Sequence, residues 1–222
     1  MVELNEFGSP VRPILPLYRM DGKEAYPARV KDHPVWKGEA KPWSAYIHHS
    51  SKMHSSMEGH YFYRTAKKLG SGNYASLGAF KGLSTACMAY GLREGGHTGK
   101  VYGVDLFNHY NPLESGAQLK LFNEGMKAAG LEDYAVACEG YTHVWAHKLR
   151  KLRFKFILID ADHHYETCKM DFDKWSTLLA EGGLIAFHDV DMVTVNKVIE
   201  EMDQGVWKQV DHIHRLKIFT RK

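Results

Sequence analysis

The run Phe154-Lys155-Phe156-Ile157-Leu158-Ile159, halted by Asp160, constrains this chain more than any other stretch. A strand that is apolar almost throughout is covered on both faces, and such strands belong to parallel sheets wrapped by helices. The pattern on either side agrees. Residues 58–69 read as a helix ended by Gly70, with Ser71-Gly72-Asn73 as a turn, and 74–77 as a strand. A helix over 84–92 is broken by Gly95-Gly96, and a strand over 101–104 ends on Asp105. Residues 113–129 are predicted helical, with Leu119, Phe122 and Met126 on one face. A strand over 134–138 and a helix over 142–152 complete the first half. After the central strand, Cys168, Phe172, Trp175 and Leu179 form one apolar helical stripe. Gly182-Gly183 leads into a strand over 184–187 that ends at His188-Asp189, and 192–202 reads as a helix. Residues 206–210 and 216–220 are predicted to pair antiparallel. This alternation predicts an α/β domain, in which ligands bind outside the carboxyl ends of the strands.

Six of the seven prolines fall within the first 42 residues, where they exclude regular structure, yet Trp36, Trp43, Tyr18, Tyr26 and Tyr46 lie there too. Residues 1–55 therefore read as an irregular arm that packs on its own domain or on a second subunit, the second arrangement being a homodimer. Residues 56–222 read as one domain. Twenty-nine basic and 26 acidic residues leave a charge of +3, too balanced to point to nucleic acid, and the basic run 148–155 reads as a solvated helix end. No apolar run reaches the roughly 18 residues of a membrane span, and the start lacks a signal-peptide pattern. Cys87, Cys138 and Cys168 form no disulfide or metal pattern, so a cytoplasmic location is expected.

The residues after each strand carry the chemistry. Gly78-x-x-x-Gly82 precedes a helix that begins near Ser84, a place where backbone can approach a ligand and helix N–H groups are available. It is neither G-x-G-x-x-G nor G-K-[ST], which argues against dinucleotides and nucleoside triphosphates. Asp105, at the end of the next strand, can accept hydrogen bonds from ribose hydroxyls or cap a turn. Asp160, Asp162, His163, His164, His188 and Asp189 gather at two strand ends. Clustered carboxylates repel unless a proton or cation intervenes, and oxygens joined by imidazoles suit Mg²⁺, Mn²⁺ or Fe²⁺. Asp162 also has the position of a helix cap, and His164 that of a solvent-facing side chain.

Residues 73–85 and 101–107 resemble the first two motifs of class I S-adenosylmethionine (SAM) methyltransferases. The segment Phe156-Ile-Leu-Ile-Asp-Ala-Asp-His-His-Tyr-Glu166, followed by Asp171, Trp175 and Glu181-Gly-Gly-Leu-Ile-Ala-Phe-His-Asp189, is more specific. It resembles the small bacterial "IDGDHSYE…HD" branch related to antibiotic-sugar O-methyltransferases. The resemblance implies a Rossmann-like, doubly wound, mostly parallel seven-stranded sheet with an antiparallel C-terminal pair. It implies that Gly78, Ala79, Phe80 and Gly82, with Ser84, line the methionine part of SAM. Asp105 and Leu106 would hold the ribose, Glu139, Gly140 and Tyr141 would lie near the adenine, and Asp160 would border the cofactor. Relatives carry a metal at the positions of Asp160, His188 and Asp189, where the middle residue is here a histidine. Ser76 replaces the acid usual two residues before the first glycine.

The resulting expectation is a SAM-dependent O-methyltransferase acting on a small polar acceptor such as a sugar. Activation of the acceptor would come from a base, His188 or His163 with Asp160, or from a divalent metal held by Asp160, His188 and Asp189. The alternative is a methyltransferase-like fold used for binding or assembly without catalysis.

Overall fold

The structure is a computed structural model that describes residues 56–108 and 116–222. The proline-rich segment 1–55, with the expected arm and its histidines, lies outside the described residues, as do residues 113–115 of the third expected helix. The elements in chain order are α1 (Ser56–Leu69), β1 (Gly72–Leu77), α2 (Leu83–Glu94), β2 (Gly99–Asp105), α3 (Ala117–Ala128), β3 (Ala135–Glu139) and α4 (Thr142–Lys148). They continue with β4 (Phe154–Ile159), α5 (Tyr165–Trp175), β5 (Leu179–Phe187), α6 (Val193–Glu200), β6 (Trp207–Ile213) and β7 (Leu216–Arg221).

The seven strands form one sheet in the order β3-β2-β1-β4-β5-β7-β6. β1 to β5 are mutually parallel, and β7 pairs antiparallel with both β5 and β6. This is the expected doubly wound α/β fold. Because successive strand side chains point to opposite faces, the sheet builds two cores. Tyr74, Phe156 and Leu158 face α1 and α2, packing on Phe62, Ala66, Ala86 and Met88. Leu77, Ile157, Ile159 and Phe187 face α5 and α6, packing on Cys168, Phe172, Trp175 and Val195. All six residues of β4 lie inside or nearly so, as its composition requires.

Two expected boundaries move furthest. Helix α5 stops at Trp175, a short 3₁₀ turn covers Ser176–Leu178, and Leu179 begins β5 opposite Phe154. Leu179 still packs in the same core as Cys168, Phe172 and Trp175, so its helical spacing was a coincidence of burial rather than of helix. Helix α4 ends at Lys148 rather than at residue 152, because Leu152 N–H turns back to the Leu149 carbonyl. In the basic run that follows, Arg150 and Arg153 donate to the carbonyls of His147, Arg150 and Leu152, which accounts for part of that charge as capping. Trp175 is fully buried, as expected, whereas Trp145 is half-buried with Lys148 over its ring. Among the described residues no helix is long and apolar enough to cross a membrane.

The strand order reverses between β1 and β4, which leaves a crevice at their carboxyl ends. Hydrogen bonds stitch these ends together: Gly78 N–H to the Val104 carbonyl, Gly140 N–H to that of Asp105, Asp160 N–H to that of Leu77, and His188 N–H to that of Ile159. The five expected groups of residues therefore share one end of the sheet.

Candidate active site

The loop after β1 is shaped by three left-handed residues, Gly78 (φ +79°), Phe80 (φ +49°) and Gly82 (φ +95°). At Gly78 the requirement is also steric: a Cβ there would lie 2.0 Å from the Asp160 carbonyl oxygen. Asp105 holds this loop. Its Oδ2 accepts the Phe80 N–H at 2.8 Å, and its Oδ1 accepts the Phe107 N–H at 2.7 Å. An ionised carboxylate has about four acceptor sites, so these bonds leave capacity for a ribose hydroxyl. Helix α2 starts at Leu83 with Gly82 as N-cap and no side-chain cap, which leaves its N-terminus to a ligand. Ser84 is buried within that first turn, where its Oγ lies 2.7 Å from the Oγ of the buried Ser76. The expected acid is thus replaced by a sealed hydroxyl pair.

Next along the edge, Leu106 is 40% and Tyr141 61% exposed, among the few large apolar residues that the described surface leaves open. They follow the paired residues Asp105 and Glu139, so both flank the same notch. Tyr141 stacks on His143 with ring centroids 5.5 Å apart, and Glu139 is exposed beside it. Exposed apolar side chains flanking these strand ends, with the Asp105 carboxylate and an uncapped helix N-terminus beside them, suit a nucleoside carrying a polar tail.

The carboxylate–imidazole cluster lies across Gly78 from this notch. His188 is 3% exposed, with Nδ1 3.1 Å from both Asp160 Oδ1 and Asp189 Oδ1. Its Nε2 faces Glu58 Oε1 at 3.3 Å. His163 is more open, with Nε2 2.8 Å from Asp189 Oδ2 and 3.6 Å from Asp160 Oδ1. Arg215 closes the far side, reaching Asp189 Oδ1 at 2.7 Å and Asp191 Oδ1 at 2.8 Å. Asp189 has φ +54°, a strained conformation for a residue other than glycine.

Electrostatics follow from this geometry. Contacts with the Asp160 and Asp189 carboxylates push the His163 pKa up to about 9, against the opposing effect of burial. Burial alone would lower the pKa of His188, but Asp160, Asp189 and Glu58 outweigh it and hold the pKa well above the usual imidazole range. Burial likewise works to raise that of Asp189, yet His163, His188 and Arg215 hold it far below the usual carboxylate range. The cluster draws positive charge to a point between Asp160 and Asp189.

The donor atoms of Asp160, His163 and Asp189 all lie within 4.8 Å of one another. His163 Nε2 is buried and meets the carboxylates at ion-pair distance without the alignment of a hydrogen bond. Converging donors of this kind fit a divalent cation. Asp162 and His164 stand apart: Asp162 accepts from the His164 N–H and the Thr167 hydroxyl and so shapes the start of α5, while His164 is largely exposed.

Three members of the cluster were not expected. Glu58 is fully buried, and its Oε1 also takes the Arg215 N–H at 3.2 Å and faces His214 Nδ1 at 3.1 Å. One signal could have found it, since Glu58 shares a helical face with Tyr61, Phe62 and Thr65, where an acid has no reason to be apolar-facing without a partner. His214 and Arg215 occupy the β6–β7 turn, and nothing in their local pattern marks them.

The sheet order is that of class I methyltransferases. A family model described as a methyltransferase domain matches residues 75–190, a little over half of the chain, from β1 past the end of β5. The chain belongs to this methyltransferase family. Solved structures share its fold. An O-methyltransferase from Bacillus cereus in complex with S-adenosylhomocysteine (SAH) aligns with a TM-score of 0.61 at 16% identity, covering 80% of this chain and 88% of that one. The O-methyltransferase TomG from Streptomyces achromogenes, involved in tomaymycin synthesis and bound to SAM, gives 0.64 at 14% identity, with 82% and 90% covered. An SAH-bound methyltransferase from Podospora anserina gives 0.59 at 17% identity, with 78% and 82% covered.

Proposed function

We propose that the protein transfers a methyl group from SAM to a hydroxyl oxygen of a small polar acceptor. The observation that carries this reading is the close approach of Gly78 to Asp160. It sets the glycine loop and the carboxylate–imidazole cluster against each other, so cofactor and acceptor groups would meet at one point. Bound SAM supplies an electrophilic methyl on a sulfonium. The notch from Gly78 to Gly82 would take its methionine part, with Ala79, Phe80 and Ser84 in the wall. Asp105 and Leu106 would hold the ribose, and Glu139, Gly140 and Tyr141 the adenine. Fixing cofactor and acceptor in line removes an entropic barrier to the transfer.

The acceptor hydroxyl must also lose its proton. Asp160, His163 and Asp189, in place of the expected set with His188, would hold a divalent ion, which there would lower the hydroxyl pKa. Without an ion, His163 is the base within reach of an acceptor, and with its pKa raised to about 9 it takes a proton only where alkaline pH leaves the ring neutral. Asp189 orients its ring from Nε2, which leaves Nδ1 to take the proton. His188, sealed beneath, sets the charge of Asp160 and Asp189 from below.

The test is calorimetric titration of the full chain with SAM, alone, with Mg²⁺ or Mn²⁺, and after chelation. SAH release is then followed with a panel of sugars and other polyols. Micromolar SAM binding with SAH release supports the proposal, and loss of release on chelation assigns activation to the metal. SAM binding with no release for any hydroxyl acceptor would favour a role in binding or assembly, and no SAM binding at all would overturn the reading.

A further inference from the structure

The segment Glu139–Thr142 is held by more bonds than a connection of its length needs. Gly140 N–H donates to the Asp105 carbonyl, and Trp145 Nε1–H to the Glu139 carbonyl at 3.0 Å. Two further bonds come from α5, a separate element. Trp175 Nε1–H donates to the Thr142 carbonyl at 3.2 Å, and the Thr142 hydroxyl donates to Asp171 Oδ1 at 2.5 Å. Helix α4, which starts at Thr142, has only seven residues and no side-chain cap on its N-cap Tyr141. So short a helix does not fix its own first turn.

Asp171 carries a cost. It is fully buried, and among the described residues its Oδ2 meets no hydrogen-bond partner. Burial pushes its carboxyl pKa up to about 6 even though the Thr142 hydroxyl opposes the shift. An apolar side chain would fill α5 without that penalty. The methyl-transfer chemistry proposed above does not use this carboxyl, and among the described residues its side chain is hydrogen-bonded by the residue that follows Tyr141.

We propose that Asp171 is a positioning residue for the cofactor: by gripping the Thr142 hydroxyl from α5, it fixes Gly140 and Tyr141 in the orientation that takes the adenine. This rests on the reading of residues 139–141 as the adenine side of the notch. The grip acts on the nucleoside end alone, so its loss weakens every adenosine-bearing ligand by one factor.

The experiment titrates the full-length protein with SAH and with adenosine, in wild type, Thr142→Val, Thr142→Ser and Asp171→Asn. Thermal melts are recorded alongside. Thr142→Val removes the hydroxyl at nearly constant volume, whereas Ser keeps the donor and Asn keeps the acceptor. The expected result is about a tenfold loss of affinity for both ligands in Thr142→Val. Thr142→Ser and Asp171→Asn stay within about threefold of wild type. Rescue by the two conservative variants is what a merely structural effect of valine would not give. If Thr142→Val does not fold, Thr142→Ala is read the same way. Wild type that binds SAH, with Thr142→Val within about threefold of it, overturns the inference and leaves the SAM reading standing. Loss confined to SAH, with adenosine unchanged, also overturns it. Wild type that binds neither ligand removes the SAM reading and the inference with it.

Discussion

Glu58 Oε1 and His188 Nε2 lie 3.3 Å apart, both sealed from solvent, and they join the first described helix to the end of β5. A buried anion with a cationic partner contributes little net stability, yet removing one partner strands the other. Glu58→Ala would take one carboxylate from His188 and remove the oxygen that accepts the Arg215 N–H. The expected loss is about 3 kcal/mol or more. Glu58→Gln, which keeps an oxygen acceptor, should lose less. Urea unfolding of the three proteins checks this, and an Ala variant within about 1 kcal/mol of wild type would contradict the buried-pair account.

Gly78 meets the Asp160 backbone, not a flexible side chain, so nothing nearby can yield to a methyl group. Its φ of +79° adds backbone strain to the clash. Gly78→Ala should therefore cost more than the roughly 1 kcal/mol of an ordinary glycine replacement and push the β1 and β4 ends apart. SAM affinity and melting temperature are expected to fall together. An alanine variant with both unchanged would show that the contact does not set the crevice.

Asp105 serves two chain segments before any ligand arrives, through its bonds to Phe80 and Phe107. Asp105→Ala strands two N–H donors, at a cost of about 1–3 kcal/mol for each one left without water. It also loosens the loop that would take the methionine part. Asp105→Asn keeps one acceptor and should fall between Ala and wild type in both stability and SAM affinity. Parallel calorimetry and denaturation separate the two effects, and Ala binding SAM as wild type does would count against the ribose assignment.

Much of this was legible in the chain. The apolar run 154–159 placed the central strand, and residues just past each strand marked the crevice, because period and burial are local properties. Leu179 misled for the same reason: it is apolar and lies in the right core, and spacing alone cannot distinguish a helix's last turn from a strand's first residue. His188 could be placed at the sheet edge but not at its depth. One contact that seals it comes from Glu58, 130 positions earlier, which His214 of the β6–β7 turn holds in turn. Thr142 and Asp171, 29 positions apart, meet only once two helices pack on the same face of the sheet.

Asp171 makes the pH dependence of stability readable. Its folded pKa of about 6 stands above the usual 3.8, raised mainly by burial and further by the Asp162 charge, with Thr142 opposing. The folded protein thus prefers the neutral acid. Below about pH 4 the group costs nothing. As pH rises through about 6 it must ionise in place, and stability falls by on the order of 3 kcal/mol. Asp171→Asn cannot ionise. Its stability relative to wild type should climb between pH 4 and 6.5 and then level, while every other titrating group cancels in the difference. Urea unfolding of both proteins at half-unit steps across that window reads the difference directly. A flat difference would mean that the carboxyl titrates as if in water, and that its side chain is not sealed against Thr142.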